Sequence, residues 1–473
     1  MSKITNNMQL KKGTILKAEF SSLTSFGQAH TKVEIDGTEY NLVCTDLYPG
    51  DIANVKLTKI KKNFLEAEPE EILEYSDLRV ETKNNYFGIS NATPLEALSY
   101  EKQLELKQNE VTRILGNLNL LTNVEVAPIQ AMQNPWYYRN KVEYSFGFDA
   151  DFNPVLGFHV KNRRFDIVDV TSCHLFNQNA GQFLDVARKI FLSKFAPYQF
   201  SCNKGELRTL TFKQTQNHDQ LMIILEISKT DQQDAIVESL KEFANQIQSF
   251  YQNPVSVYLQ VTDVLKGRRT LKTITHIQGS EFISETLLIN SNEYKFDIFP
   301  DSFFQPNPKQ ATKIFEIVQD ITSKYNSKVI YDLFCGTGTL GIVSASKDAK
   351  IFGMDIVESS IELARHNAEQ NNISEALYVA DDIFKHLQDY PWPNPDLILI
   401  DPPRKGLEPK TIELIENSTA DILVYVSCNL KTFAQDARAL EDNGFKLQKL
   451  TPVDQFPHTK HLEIVSVFTR DRG

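Results

Sequence analysis

The spacing of apolar and polar positions changes character twice along the chain. From residue 11 to 71 the period is short and turn residues interrupt it repeatedly. Residues 31–35 and 40–43 flank Asp36-Gly37. That dipeptide suits a two-residue hairpin, because both positions tolerate positive φ. Pro49-Gly50-Asp51 marks a second turn, and residues 53–60 alternate as a further strand. Several short strands in about 60 residues predict a small closed β-barrel. Between 95 and 121 the period lengthens: Leu98, Leu104, Leu106, Val111, Ile114 and Leu115 recur at helical spacing. Residues 128–289 mix both rhythms. Segments 142–148, 156–160 and 221–227 read as strands and 231–250 as an amphipathic helix, which predicts an α+β middle domain. From about residue 294, apolar strands at 329–333, 350–355, 396–400 and 422–426 alternate with helical stretches. That is the rhythm of a parallel doubly wound α/β sheet. The predicted domains are therefore 8–72, 73–290 and 291–473.

The length of 473 residues fits three domains of ordinary size. No apolar run approaches the ~18 residues of a membrane span, so no membrane association is expected. The first residues carry no secretory-type apolar segment. Cysteines stand only at 44, 173, 202, 335 and 428. An odd, scattered set fits a reducing cytoplasm better than a disulfide framework. With no CxxC pair, no metal site of the usual zinc spacing is expected. The net charge of −11 gives no global nucleic-acid signature, so any RNA contact must come from local basic runs.

Candidate chemistry concentrates in the last block. The apolar strand at 329–333 runs into Phe334-Cys335-Gly336-Thr337-Gly338-Thr339-Leu340-Gly341, where a helix should open. Glycines at such a turn let a ligand approach the backbone. The next strand ends in Asp355, an acid placed to hold a ribose. Two further strands end at Asp381-Asp382 and at Asp401-Pro402-Pro403-Arg404-Lys405-Gly406. Open α/β sheets bind ligands at these carboxyl ends. Either of Asp381 and Asp382 could equally be a helix N-cap. The following strand ends at Ser427-Cys428-Asn429. There Cys428 reads as a nucleophile at a strand tip or as a small buried apolar residue. The chain closes on Phe456-Pro457-His458-Thr459-Lys460-His461-Leu462-Glu463. Its histidines lack zincin spacing, and Glu463 is a general-base candidate or a salt-bridged strand end.

In order, Asp332-Leu333-Phe334-Cys335-Gly336, Asp401-Pro402-Pro403-Arg404-Lys405-Gly406, Tyr425-Val426-Ser427-Cys428-Asn429 and Pro457-His458-Thr459-Lys460-His461-Leu462-Glu463 resemble the RNA 5-methyluridine (uracil-C5) methyltransferase family. Phe299-Pro300-Asp301-Ser302-Phe303-Phe304-Gln305 and Trp136-Tyr137-Tyr138-Arg139-Asn140-Lys141 extend the likeness, and the first block resembles a TRAM domain, an OB-like RNA-binding barrel. The resemblance implies a C-terminal Rossmann-like sheet that uses S-adenosyl-L-methionine to methylate C5 of uracil in RNA. It implies Cys428 as nucleophile and Glu463 as base. It places Gln305, Phe334, Asp355, Asp381, Asp401, Gly336 and Gly338 against the cofactor. Thr339 stands where some members carry asparagine. Enzymes that methylate cytosine C5 usually carry a cysteine directly after Pro-Pro, and Arg404 here favours uracil.

One departure concerns an iron–sulfur cluster. Many barrel-bearing relatives hold one with four cysteines. Three of those would fall between 79 and 95, a stretch with no cysteine, and only Cys173 matches the fourth. No iron–sulfur cluster is expected, and Cys173 becomes a core residue. For RNA, the candidates are Arg139, Lys141, Arg163, Arg164, Arg268 and Arg269, with the run at 59–62. The expected partner is ribosomal RNA of the 23S class, favoured by the barrel, or transfer RNA in its T-loop. The expected oligomeric state is a monomer. A methyltransferase for a non-RNA substrate and an inactive RNA-binding protein are the other readings. Neither needs Cys428 and Glu463 together.

Overall fold

Turn chemistry sets the first register. Strands Ala29–Ile35 and Thr38–Cys44 pair with Ile35 opposite Thr38, so Asp36 (φ 48°) and Gly37 (φ 77°) form the whole connection. Both lie in the left-handed region that a primed two-residue turn requires. The computed structural model describes residues 2–4, 10–24, 27–163, 165–264, 270–346 and 348–470. Its chain divides into two compact units, 1–110 with 456–460, and 111–455 with 461–473.

The first unit holds a seven-stranded sheet made from Ser2–Ile4, Ile15–Glu19, Ser22–Leu23, Ala29–Ile35, Thr38–Cys44, Ile52–Lys61 and Phe64–Glu74. Alternate residues point inward, among them Leu16, Ala18, Val33, Leu42, Val55 and Leu57. This is the period-two pattern of a sheet with one wet face. The unit is strand-rich and barrel-like. Beyond the sheet, Arg79 clamps Asp51 with a 2.8 Å and a 2.6 Å hydrogen bond. Residues 79–95 form turns, with Glu96 accepting from the backbone N–H groups of Lys83 and Asn84.

The second unit carries two large sheets. One runs in the order Ile167–Asp169, Pro154–His159, Lys141–Phe148, Leu207–Gln214, Leu221–Ser228, Val255–Asp263, Leu271–Gln278. Helix Gln233–Phe250 buries Ile236, Leu240, Phe243 and Ile247, an i, i+4, i+7, i+11 stripe. Cys173 is buried in this region, at 2% exposure. The other sheet runs Ala376–Ala380, Lys350–Asp355, Val329–Leu333, Leu397–Ile400, Ile422–Ser427, Glu463–Thr469, Lys446–Val453, Glu125–Val126. Its first five strands are parallel. Leu397 and Leu399 enter one apolar cluster and Ile398 and Ile400 another, so the middle of the sheet is buried on both faces.

The four strands expected to alternate with helices are all parallel, and the sheet continues past them with a reversal. Strand Glu463–Thr469 is antiparallel to Ile422–Ser427 and to Lys446–Val453. Residues 454–462 supply no crossover helix, and a return without one places strands antiparallel. The edge strand Glu125–Val126 comes from well upstream, and its two residues are too few to show a period.

Candidate active site

Three neighbouring strands of the mixed sheet end at the same rim. Leu397–Ile400 runs into Asp401, Ile422–Ser427 into Cys428, and Glu463 opens the antiparallel strand. Ser427 lies opposite Ile464 in the ladder, so the next step along both strands brings Cys428 and Glu463 together. Topology alone thus gathers a thiol and two carboxyl groups far apart in sequence. Asn429 fixes the corner. Its side-chain oxygen caps helix Leu430–Asp442 through the Lys431 N–H at 3.2 Å, and its amide donates to the Arg404 carbonyl at 2.8 Å. Thr432 Oγ1 donates to the same carbonyl at 3.3 Å. The Pro-Pro-Arg turn is thereby held beside Cys428.

The electrostatics of this cluster favour protons. Burial, then the negative charges of Glu463 and Asp401, push the Cys428 thiol up to about 11, while the positive charge of Arg404 pulls the other way. Burial raises Asp401 to about 7. Glu463 lies well above the ordinary carboxylate range because it is buried and faces Asp401, again opposed by Arg404. Two carboxyl groups in one dry site cannot both ionise at ordinary cost. The positive charge of Arg404 opposes these shifts at both Cys428 and Glu463. Sequence reasoning used Arg404 only to choose between two pyrimidines. Its place near Cys428 follows from a turn packed against a helix cap, which no local pattern announces.

The adjoining strand end is a ligand cradle. Strand Val329–Leu333 leads into Phe334 (φ 62°), Gly336 (φ 52°) and Gly338 (φ 76°), and helix Thr339–Ser344 opens there. A phenylalanine in the left-handed region is strained, and such strain clusters at functional sites. Asp355 accepts from the N–H groups of Gly336 and Val357, each at 3.0 Å. The acid expected to face a ribose therefore also ties the turn, with lone pairs to spare. A Cβ on Gly336 would meet nothing within 4 Å, whereas one on Gly338 would lie 2.9 Å from Tyr378 Oη. Gly336 thus leaves room for a ligand, and Gly338 makes room for packing. Ile356 and Val357 stand 72% and 47% exposed directly beyond Asp355. A carboxylate beside apolar surface and open backbone suits a nucleoside. Asp381 accepts from the Asp382 N–H at 2.8 Å and from Tyr390 Oη at 2.7 Å. Asp382, not Asp381, is the N-cap of helix Ile383–His386, accepting from Phe384 N–H at 3.0 Å.

Gln305 sits on a loop anchored from several sides. Its side-chain oxygen accepts from Gln455 Nε2 at 3.2 Å and its carbonyl from Asn140 Nδ2 at 2.8 Å. Lys213 Nζ donates to the carbonyls of Phe299 and Ser302 at 2.9 and 2.8 Å. Nothing in the sequence marks Asn140 and Lys213 as anchors; there the Arg139-Asn140-Lys141 run reads as an RNA-contact candidate. Instead Asn140 is 4% exposed. Arg139 lies half-buried over the Tyr138 ring at 5.8 Å, while Lys141 is exposed. Arg163 is exposed and pairs with Asp166 at 3.2 Å. Arg164, Arg268 and Arg269 lie outside the described residues. Among the described residues no three or more His, Cys, Asp or Glu side chains gather as a metal site would require. No described helix is long and apolar enough to cross a membrane.

Known proteins resemble this chain in sequence and in fold. The sequence model of the tRNA (Uracil-5-)-methyltransferase family matches residues 212–471. An uncharacterized RNA methyltransferase of Clostridium tetani is 32% identical over 421 residues, covering 88% of this chain and 90% of that protein. One of Listeria innocua is 32% identical over 467 residues, covering 97% and 98%. Among solved structures, the Pyrococcus abyssi tRNA (uracil-54, C5)-methyltransferase in complex with S-adenosyl-L-homocysteine superposes with a TM-score of 0.73 at 24% identity, covering 96% of this chain and 100% of that one.

Proposed function

The chain belongs to the tRNA (uracil-5-)-methyltransferase family, and from that footing we propose that it methylates C5 of uracil in RNA with S-adenosyl-L-methionine. The observation that carries the reading is the meeting of Cys428, Glu463 and Asp401 beside the Gly336 cradle. Phe334, Gly336, Gly338, Asp355 and Asp381 would hold the cofactor, with Gln305 and Asp401 between cofactor and base. When bound, S-adenosyl-L-methionine supplies an electrophilic methyl group.

The protein's task is to make C5 of uracil a carbon nucleophile. The Cys428 thiolate adds to C6, and the C5–C6 π pair moves towards the C4 carbonyl. Arg404 offsets the negative charge while the thiolate forms. The C5 hydrogen must later leave as a proton. Glu463 takes it, and its raised proton affinity makes it a stronger base than an exposed carboxylate. The electron pair left at C5 then re-forms the double bond and expels Cys428. A stacked base cannot reach this rim, so the uridine must flip out of its helix or loop.

For the substrate we propose large-subunit (23S) ribosomal RNA, which the TRAM-like first block of the sequence favours. Transfer RNA is the second reading, because the Pyrococcus abyssi enzyme, named for tRNA, matches nearly the whole of this chain. A cytoplasmic monomer goes with either reading. The test is nucleoside mass spectrometry on ribosomal and transfer RNA from cells with and without the gene. Loss of 5-methyluridine from the ribosomal fraction is expected, and loss from the transfer fraction alone would replace the substrate. Cys428→Ala should abolish methyl transfer while cofactor binding by calorimetry persists. Turnover by that variant would refute the mechanism.

A further inference from the structure

Beside the Gln305 loop, the ladder sets two lysines against each other. Lys213, near the end of strand Leu207–Gln214, pairs with Lys141, the first residue of strand Lys141–Phe148. Residues opposite one another in an antiparallel ladder share a face, and like charges there are destabilising. The arrangement is costly for a second reason. Lys213 is 5% exposed, and a buried ammonium calls for a counter-charge. Among the described residues it forms no ion pair; its two hydrogen bonds go to the neutral carbonyls of Phe299 and Ser302. An ammonium has three donors, so one remains. Lys141 is exposed and makes neither hydrogen bond nor ion pair among the described residues.

We propose that the Lys141–Lys213 pair receives one backbone phosphate of the substrate RNA, next to the Gln305 loop. The inference rests on RNA being the substrate and adds where its backbone is gripped. A phosphate is the anion that such a substrate delivers, and it offers several acceptor oxygens to two ammonium groups. Its charge would offset both the cross-strand repulsion and the burial of Lys213. Burial and the facing Lys141 hold the Lys213 amine down at about 7, with Asp301 opposing weakly. An anion at the pair would raise it. The same loop presents Phe303, 62% exposed, as a face on which a neighbouring base can stack. Lys213 already fixes the loop through two carbonyls. A phosphate on the pair would therefore couple RNA docking to the placement of Gln305.

The test uses Lys141, whose exposure makes its replacement safe for folding. Binding of a short oligouridylate to the full chain is measured across a salt series, for wild type, Lys141→Gln and Lys141→Arg. One phosphate contact on a single strand contributes about 0.7 to the slope of log affinity against log salt. The glutamine variant should lose about that much slope, which is about fivefold in affinity at 0.1 M salt. The arginine variant should keep both. In methyl transfer to RNA from the gene-deleted host, Lys141→Gln should raise KM and leave kcat near wild type. Equal slopes for wild type and Lys141→Gln would overturn the phosphate site even if both enzymes methylate RNA. Absence of methyl transfer by the wild-type enzyme would instead overturn the functional reading.

Discussion

At the level of single residues the site is a contest between one cation and several proton-loving groups. Cys428, raised to about 11, is a thiol at neutral pH, and Glu463 is held above its ordinary range. On the proposed mechanism both act only after losing a proton, so kcat/KM should climb with pH through the neutral range and into the alkaline one. Arg404 works against both shifts. Arg404→Gln should move the rising limb to higher pH and cut kcat at pH 7.5 by roughly a hundredfold, comparable to losing one charge-stabilising donor. Arg404→Lys should recover part of the loss. A pH–rate profile for the three enzymes decides it, and an unmoved limb in Arg404→Gln would remove the guanidinium from thiolate formation. Cys428 and Glu463 were both legible as candidates, because strand-end acids and thiols stand out against apolar runs. Their charge states were not legible. Those depend on Asp401, Arg404 and burial, which only the folded rim brings together.

The sheet's elements carry a cost of their own. Asp332 lies in the middle strand, fully buried, and accepts from the Gly341 N–H at 2.9 Å. Burial first, then the charges of Asp401 and Asp355, raise it to about 7 from an unfolded value near 3.8. Between those values the folded protein binds the extra proton. Stability from this group is therefore fully present below about pH 4 and is lost as pH rises to about 7. Asp332→Asn keeps an acceptor for Gly341 and removes the titration. Urea unfolding at pH 5 and pH 8 should show the variant losing less stability between the two than wild type does. An identical loss would mean that Asp332 stays ionised when folded. Elements with strong local signals, such as the Asp36-Gly37 hairpin and helix Gln233–Phe250, were readable because turn chemistry or a long stripe specifies them. The edge strand Glu125–Val126 and the antiparallel direction of strand Glu463–Thr469 were not. Their direction and partners are set by the sheet they join.

Over the whole molecule the chain path makes a stronger statement than composition does. The net charge of −11 says little about an RNA enzyme, whose contacts are local. The path, however, sends residues 456–460 into the first unit only three residues before Glu463. Within that unit Gln103 grips the segment, accepting from the His458 N–H at 2.8 Å and lying 3.2 Å from His458 Nδ1. Leu95 N–H donates to the His458 carbonyl at 3.0 Å. His458 itself is held at φ 63°, a conformation costly for a ring-bearing side chain and maintained only where surroundings enforce it. Within the first unit, then, residues 456–460 are held by Gln103 and Leu95. Gln103→Ala removes both contacts with His458, and a third with the Leu98 carbonyl, all within the first unit. It should lower kcat roughly ten- to a hundredfold, the scale on which a small misplacement acts. Cofactor affinity and the alkylation rate of Cys428 should stay at wild-type values, because the groups behind them belong to the second unit. An unchanged kcat would mean that Asp454, whose N–H donates to the Gln130 carbonyl at 3.0 Å, secures the approach to Glu463 by itself.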